Sequence, residues 1–279
     1  MKTFLLAFTL ITLKLTAQDN LKFDKRFVQS EDKWVAFQKD KDGEYTYGFI
    51  YIDAQAGLTL NYEGKFMINS SGNFIPTKLD STNLKIRLQP NNVHVAFIPE
   101  DKFGELKISK VPEWLKFYKT DTSSAKHLYD WGYMYNGWDE CATALPYLLR
   151  AKQVDPNYEG LNVEIAFSYN CLKEYDKAEL IIEEELNRHP TNAYVNKEYI
   201  FTLSKTTSIE KATKQYYKSL ESVKDKTYNA ENCYNIMQYF YKADDTKNFN
   251  TWYTEYKKWP TNDQLMIDAA TKMNAQMNK

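Results

Sequence analysis

Cysteine, histidine, glycine and proline are all scarce in these 279 residues, and each shortage removes a class of protein. Three cysteines (Cys141, Cys171, Cys233) are too few for a disulfide-built scaffold, and their spacings of 30 and 62 match no zinc pattern. An odd count leaves at least one thiol unpaired within the chain, and all three read as small buried hydrophobes. The three histidines, His94, His127 and His189, read as solvated or capping side chains, and nothing orients a Cys–His pair such as Cys141 with His127. With 9 Gly and 8 Pro there is no low-complexity linker and no Gly-rich phosphate loop. After the first residues, no stretch approaches the ~18 apolar residues of a membrane-spanning helix. Neither sign of charge dominates. Residues 18–120 carry 15 Lys+Arg against 14 Asp+Glu, and residues 121–279 carry 19 against 23. That excludes the positive field that a nucleic-acid backbone requires. No catalytic constellation, metal site or cofactor motif emerges, so the chain is expected to be no enzyme and to need no cofactor.

What is present begins with a leader. Met1-Lys2 forms a minimal positive region, Thr3 to Thr16 is largely apolar, and Leu15-Thr16-Ala17 places a small residue before Gln18. This predicts a secretory signal peptide over residues 1–17, cut near Ala17/Gln18, and an exported, periplasmic location. The mature chain then divides into a β-rich domain over 18–120 and a helical domain over 121–279, an α+β multidomain organisation. Tyrosine, at 22 residues, is over-represented and suits both packed helices and partner-binding faces.

From about Asn20 to Pro99 the hydrophobic period is two. The runs 33–38, 45–53, 58–62, 65–68, 84–88 and 93–98 are rich in β-branched and aromatic residues. Turn signals separate them at Asp42-Gly43, Ala56-Gly57, Glu63-Gly64, Ser71-Gly72-Asn73 and Pro90-Asn91-Asn92. Short antiparallel strands at this spacing predict a sheet, sandwich or small open barrel. Val111-Pro112-Glu113-Trp114-Leu115 predicts a short helix, and Thr120–Ser124 is the junction between domains.

From Ala125 the period lengthens and the sequence repeats every 34 residues. Counted from Ala125, Leu128, Trp131, Gly132, Tyr135, Ala144, Leu148, Ala151 and Pro156 occupy places 4, 7, 8, 11, 20, 24, 27 and 32. A second frame from Glu159 carries Ile165, Ala166, Tyr169, Ala178, Ile182 and Pro190, but departs with Asn162 at place 4 and Glu185 at place 27. Places 4, 7, 8 and 11 form one stripe of a first helix, small residues at 8 and 20 let the paired helix approach, and the closing proline ends the unit. Pro146 is placed near the first turn of the second helix, where its missing N–H costs little. A third frame from Ala193 keeps Tyr199, Leu203, Ala212 and Tyr216, and a fourth from Asn229 keeps Tyr239, Trp252 and Pro260. Asn248 stands at place 20 of the fourth, and residues from Asp263 read as an amphipathic capping helix.

This pattern resembles the tetratricopeptide repeat (TPR) family over about residues 122–279. The resemblance implies an all-α solenoid whose first helices line a concave protein-binding groove through places 2, 5, 9, 12 and 13. Carried over, the groove presents Tyr129, Tyr133, Asn136, Phe167, Asn170, Lys197, Phe201, Lys205, Met237 and Tyr241. Place 9 gives the stripe Tyr133, Phe167, Phe201, Met237, and Asn136 with Asn170 would grip a peptide backbone through paired amides. The Lys and Asn that clamp a terminal carboxylate in chaperone-binding relatives are replaced by Tyr129 and Tyr133. The expected occupant is therefore an apolar peptide or amphipathic helix of a protein partner in the envelope. The competing expectation is a β-domain that binds a glycan or small molecule, with the repeats serving only dimerisation or docking.

Overall fold

A computed structural model describes residues 21–77 and 84–279. The expected leader, residues 1–17, lies outside the described residues. Two units emerge, 1–120 and 121–279.

The first unit is an antiparallel seven-stranded sheet. Its strands are β1 (Lys25–Arg26), β2 (Lys33–Ala36), β3 (Tyr45–Asp53), β4 (Gly57–Ile68), β5 (Phe74–Thr77), β6 (Lys85–Arg87) and β7 (His94–Phe97). The order is β1-β7-β2-β3-β4-β5, with β6 also paired to β4. β6 joins β4 at Thr59–Asn61, whereas β5 joins it at Lys65–Ile68. One expectation fails here: Glu63-Gly64 is not a turn between two strands. β4 runs through it, and the register against β3 shifts between Tyr47 and Gly48, so the extra residue is absorbed as a bulge.

Alternation along β3 places Tyr45, Tyr47, Phe49 and Tyr51 in one core with Trp34, Phe66 and Phe74. The segment after β7 covers them. It holds the single-turn helix α1 (Phe103–Leu106) and a 3₁₀ turn at Glu113–Phe117, which begins two residues later than the predicted helix. Trp114 sets its ring edge against Phe49 and Tyr51 at 5.8 and 5.0 Å between centroids. Trp34 Nε1 donates to the Ser109 carbonyl at 2.8 Å, so the largest side chain of this core is hydrogen-bonded as well as buried.

The second unit contains nine helices: α2 (Ala125–Gly137), α3 (Cys141–Val154), α4 (Leu161–Cys171), α5 (Tyr175–Arg188), α6 (Ala193–Lys205), α7 (Ile209–Ser222), α8 (Asn229–Lys242), α9 (Thr246–Tyr256) and α10 (Gln264–Met277). They pack as four antiparallel hairpins, α2/α3 to α8/α9, with α2, α4, α6 and α8 side by side. α10 packs on α8 and α9 and closes the stack with Ala270 and Met273. This is a TPR-like arrangement, and it includes the fourth hairpin. Side-chain caps start several helices: Ser124 accepts from the His127 N–H, Asn192 from the Tyr194 and Val195 N–H groups, and Asp263 from the Met266 N–H. The turns inside the first two hairpins each place one residue in the left-handed region, Asp139 and Lys173, 34 positions apart.

The small places do what their size requires. A Cβ on Gly132 would meet Leu148 Cγ at 2.4 Å, so only glycine permits this approach of α2 to α3. The departures in the second frame answer each other: Asn162 Nδ2 donates to Glu185 Oε2 at 3.1 Å, both side chains being buried. Two expectations are corrected. Pro146 is the sixth residue of α3, beyond the first turn, so one intrahelical hydrogen bond is missing there. In the fourth hairpin the second helix starts one residue later than in the others, which exposes Asn248 and turns Phe249 into the core at 0% exposure.

Candidate functional site

The first helices α2, α4, α6 and α8 form the face on which the candidate site was expected. Tyr133 is 56% exposed there, and Tyr129, Phe167, Phe201, Lys205 and Tyr241 are half-buried. The other four candidates stand elsewhere. Met237 has no exposure and belongs to the apolar cluster around Ile200, Leu203 and Ile236, because α8 is packed between α6 and α10. It ends the expected stripe after Phe201.

Asn136 and Asn170 are buried, and their amides are engaged within the stack rather than free for a peptide. Asn136 Nδ2 donates to the Glu164 carbonyl at 3.0 Å and to Glu164 Oε2 at 2.9 Å, and Ser168 Oγ donates to Asn136 Oδ1 at 2.7 Å. One repeat later, Asn170 Nδ2 donates to Glu198 Oε2 at 3.0 Å, and Thr202 Oγ1 donates to Asn170 Oδ1 at 3.0 Å. This is a polar ladder with the repeat's own period, joining place 12 of one unit to places 6 and 10 of the next. Glu164, Ser168, Glu198 and Thr202 were all missed from sequence. The signal was available as Glu at 164 and 198 with a hydroxyl at 168 and 202, each 34 apart.

Lys197 is also buried, held against the Glu198 carboxylate and 3.8 Å from Glu231. Its ammonium lies 4.6 Å from the Tyr194 ring centroid and 5.6 Å from that of Tyr228. These carboxylates raise the Lys197 pKa against the opposing effect of burial. Burial pushes the Glu164 carboxyl up to about 7, Asn136 working in the opposite direction and the Glu198 charge adding to the rise.

A cavity of about 430 Å³ opens beside this group. Its lining includes Tyr129 and Tyr133 of α2, Glu164 of α4, Tyr194 of α6 and Tyr228, together with Glu159, Glu185 and His189. Gly160, at φ 77°, starts α4 beneath Tyr129, where a Cβ would stand 2.9 Å from the tyrosine oxygen. A second cavity, about 370 Å³, lies at the far ends of α6 and α8 and is lined by Lys205, Lys242, Gln238 and Tyr239. There burial and the Lys242 charge lower the Lys205 ammonium to about 8.

Cys141 and Cys171 form a disulfide, which corrects the reading of all three cysteines as simple buried hydrophobes. It ties the start of α3 to the end of α4 and removes Cys141 as a nucleophile. Cys233 remains a thiol in the core, pushed by burial up to about 12. Among the described residues no three His, Cys, Asp or Glu side chains are grouped to hold a metal ion, and no helix is long and apolar enough to cross a membrane.

No protein-family model and no curated protein matches the sequence. Similar solved structures are a tetratricopeptide repeat protein from Parabacteroides merdae (TM-score 0.44, 11% identity, 56% of this chain and 59% of that one), PilF of Pseudomonas aeruginosa (0.42, 13%, 58% and 76%) and the P58(IPK) TPR domain (0.32, 14%, 59% and 50%). The match thus spans under two thirds of the Parabacteroides protein.

Proposed function

We propose that this protein is an exported, non-catalytic scaffold of the cell envelope that holds a peptide or helix of another protein along its first-helix face. The observation that carries the reading is the row of aromatic side chains left open on that face, Tyr133 exposed and Tyr129, Phe167 and Phe201 half-buried, while the hairpins stack on their other sides. Rigid aromatic area, with a hydroxyl tip on the two tyrosines, is what anchors partner segments. Export is supported by the leader-like residues 1–17 and by the Cys141–Cys171 pair, since such bonds persist in oxidising compartments. The β-rich unit serves to localise the scaffold or to bind a second ligand.

The test is cross-linking with mass spectrometry on native envelopes. Cross-links from Lys205 or Lys126 to one recurrent protein, lost on Phe167→Ala/Phe201→Ala substitution, are the expected result. Cross-links confined to residues 21–120, or no recurrent partner, would overturn the groove reading.

A further inference from the structure

The cavity between α2, α4 and α6 has a composition that an apolar peptide does not explain. Its walls are aromatic: Tyr129 and Tyr133 lie nearly parallel with centroids 6.0 Å apart on one side, and Tyr194 and Tyr228 lie 5.8 Å apart on the other. Between them stands Glu164, only 3% exposed, its Oε1 receiving the Tyr194 hydroxyl at 3.4 Å and its Oε2 the Asn136 amide. Glu159 and Glu185 add two more carboxylates to the lining, Glu185 buried and bonded to Asn162, and His189 is the sole basic side chain there.

The surroundings offset this excess only in part: His189 Nε2 lies 3.6 Å from Glu185 Oε1, and the nearby ammonium and guanidinium groups have partners of their own. Lys197, behind the tyrosines, is shared between Glu198 and Glu231. Lys126 is paired with Asp130, and Lys152 and Arg188 both reach Glu184. A hydrophobic side chain placed here would leave the Glu164 carboxyl with no counter-charge beyond its bonds to Asn136 and Tyr194. A cation would receive both the carboxylate and the negative faces of the rings. The protein already uses those faces in this way, since the Lys197 ammonium sits over Tyr194 and Tyr228. The volume lies in the range of side-chain and small-ligand cavities.

We propose that this cavity is the seat for a basic side chain, arginine or lysine, of the polypeptide bound along the first-helix face. The proposal rests on the groove reading for its partner, but its chemistry stands on the cavity alone. It changes the expected occupant from a purely apolar segment to one with a cationic anchor beside its apolar residues.

The test uses N-acetyl-argininamide as probe and its neutral counterpart N-acetyl-glutaminamide as control, titrated into the intact protein and followed by NMR of the tyrosine rings. The expected result is saturable shifts of the Tyr129, Tyr133 and Tyr194 signals with the arginine probe only. Binding should weaken about tenfold with Glu164→Gln, and similarly with Tyr133→Ala, an exposed wall residue whose removal leaves the fold intact. Equal response to both probes, or binding untouched by Tyr133→Ala, overturns the proposal. The two readings separate cleanly: envelope cross-links on the groove without arginine binding sink only the cation seat, and arginine binding without a cross-linked partner sinks only the groove reading.

Discussion

The seam between the first two repeats and the seam between the last two hold the same stacking by different means. At the first, a disulfide joins α3 to α4, and Asn136 links α2 to Glu164 and Ser168 of α4. At the last, Ser204 occupies the place of Asn136, and its hydroxyl turns back to the Phe201 carbonyl of its own helix at 2.7 Å. α8 instead contributes Cys233, Ile236 and Met237 to an apolar cluster with Ile200 and Leu203 of α6, and the polar ties are Lys205 to Gln238 at 3.1 Å and Lys197 to Glu231 at 3.8 Å. Buried asparagines appear at both ends with opposite fates. Those at 136 and 170 are bonded, whereas Asn229 Nδ2, Asn232 Oδ1 and Asn235 Nδ2 have no hydrogen-bond partner among the described residues. The lesson is that repeat stacking needs a complementary seam, and the seam's chemistry is free to drift along one chain.

The sharpest way to break this comparison is to remove the covalent tie. The Cys141–Cys171 bond closes 30 residues, and in the chain-entropy account such a loop contributes roughly 3–4 kcal/mol. Chemical denaturation with and without reductant should show a loss of that size. The Cys141→Ala/Cys171→Ala variant should reproduce the loss and be indifferent to reductant. Buried Cys233 supplies no reductant response of its own. Equal midpoints for oxidised and reduced protein would place the stability of the first seam elsewhere.

The next largest effect is one of pH. Burial raises the Glu164 carboxyl from its ordinary 4.5 to about 7, so the folded chain holds this proton more tightly than the unfolded chain does. Its stabilising contribution is therefore complete below pH 4.5 and is lost as pH rises through 7. By pH 8 the loss is on the order of 3 kcal/mol. Glu164→Gln keeps an oxygen for the Asn136 amide but has no proton to lose. The difference in unfolding free energy between wild type and this variant should thus shift in the variant's favour from pH 5 to pH 8. A difference that stays flat over that window would show that the carboxylate is better solvated than its burial implies. A basic ligand in the adjoining cavity should reduce the pH effect, since it favours the charged form.

The stacking hairpins were legible in the sequence because size is a strong constraint where helices touch. Gly132, Ala144, Ala166 and Ala178 mark the contacts directly, and Pro156 and Pro190 mark the ends. The fourth hairpin was harder to read because one extra residue before α9 rotates that helix. Phe249 then enters the core from a position where the repeat frame expects Asn248 to be small. The groove was legible only for residues whose exposure follows from their own helix. Met237, Asn136 and Asn170 depend on what the neighbouring helix brings, and a single repeat does not contain that information. In the β-rich unit, strand positions followed from alternation. The pairing of β1 with β7, and the division of β4 between β5 and β6, are long-range contacts that leave no local pattern.

The smallest effects decide whether the contrast between bonded and unbonded asparagines has energetic meaning. Asn136→Leu conserves volume closely but takes the donor from Glu164 Oε2 in the buried seam and leaves the Ser168 hydroxyl only the Glu164 carbonyl of its own helix. Stranding such groups costs about 1–3 kcal/mol, more where a charge is involved. Asn232→Leu makes the same chemical change at place 4 of the fourth frame, where the first frame already carries Leu128. There Oδ1 is buried and makes no hydrogen bond to the protein, so the substitution removes a desolvated acceptor and supplies apolar contact. It should leave stability unchanged or raise it by up to about 1 kcal/mol. Both variants are read by urea unfolding under identical conditions. Opposite signs would establish that partner chemistry, not residue type, sets the value of a buried asparagine in this stack. Equal losses would mean that Asn232 is held by contacts as specific as those of Asn136, and the two seams would then differ less in energy than in composition.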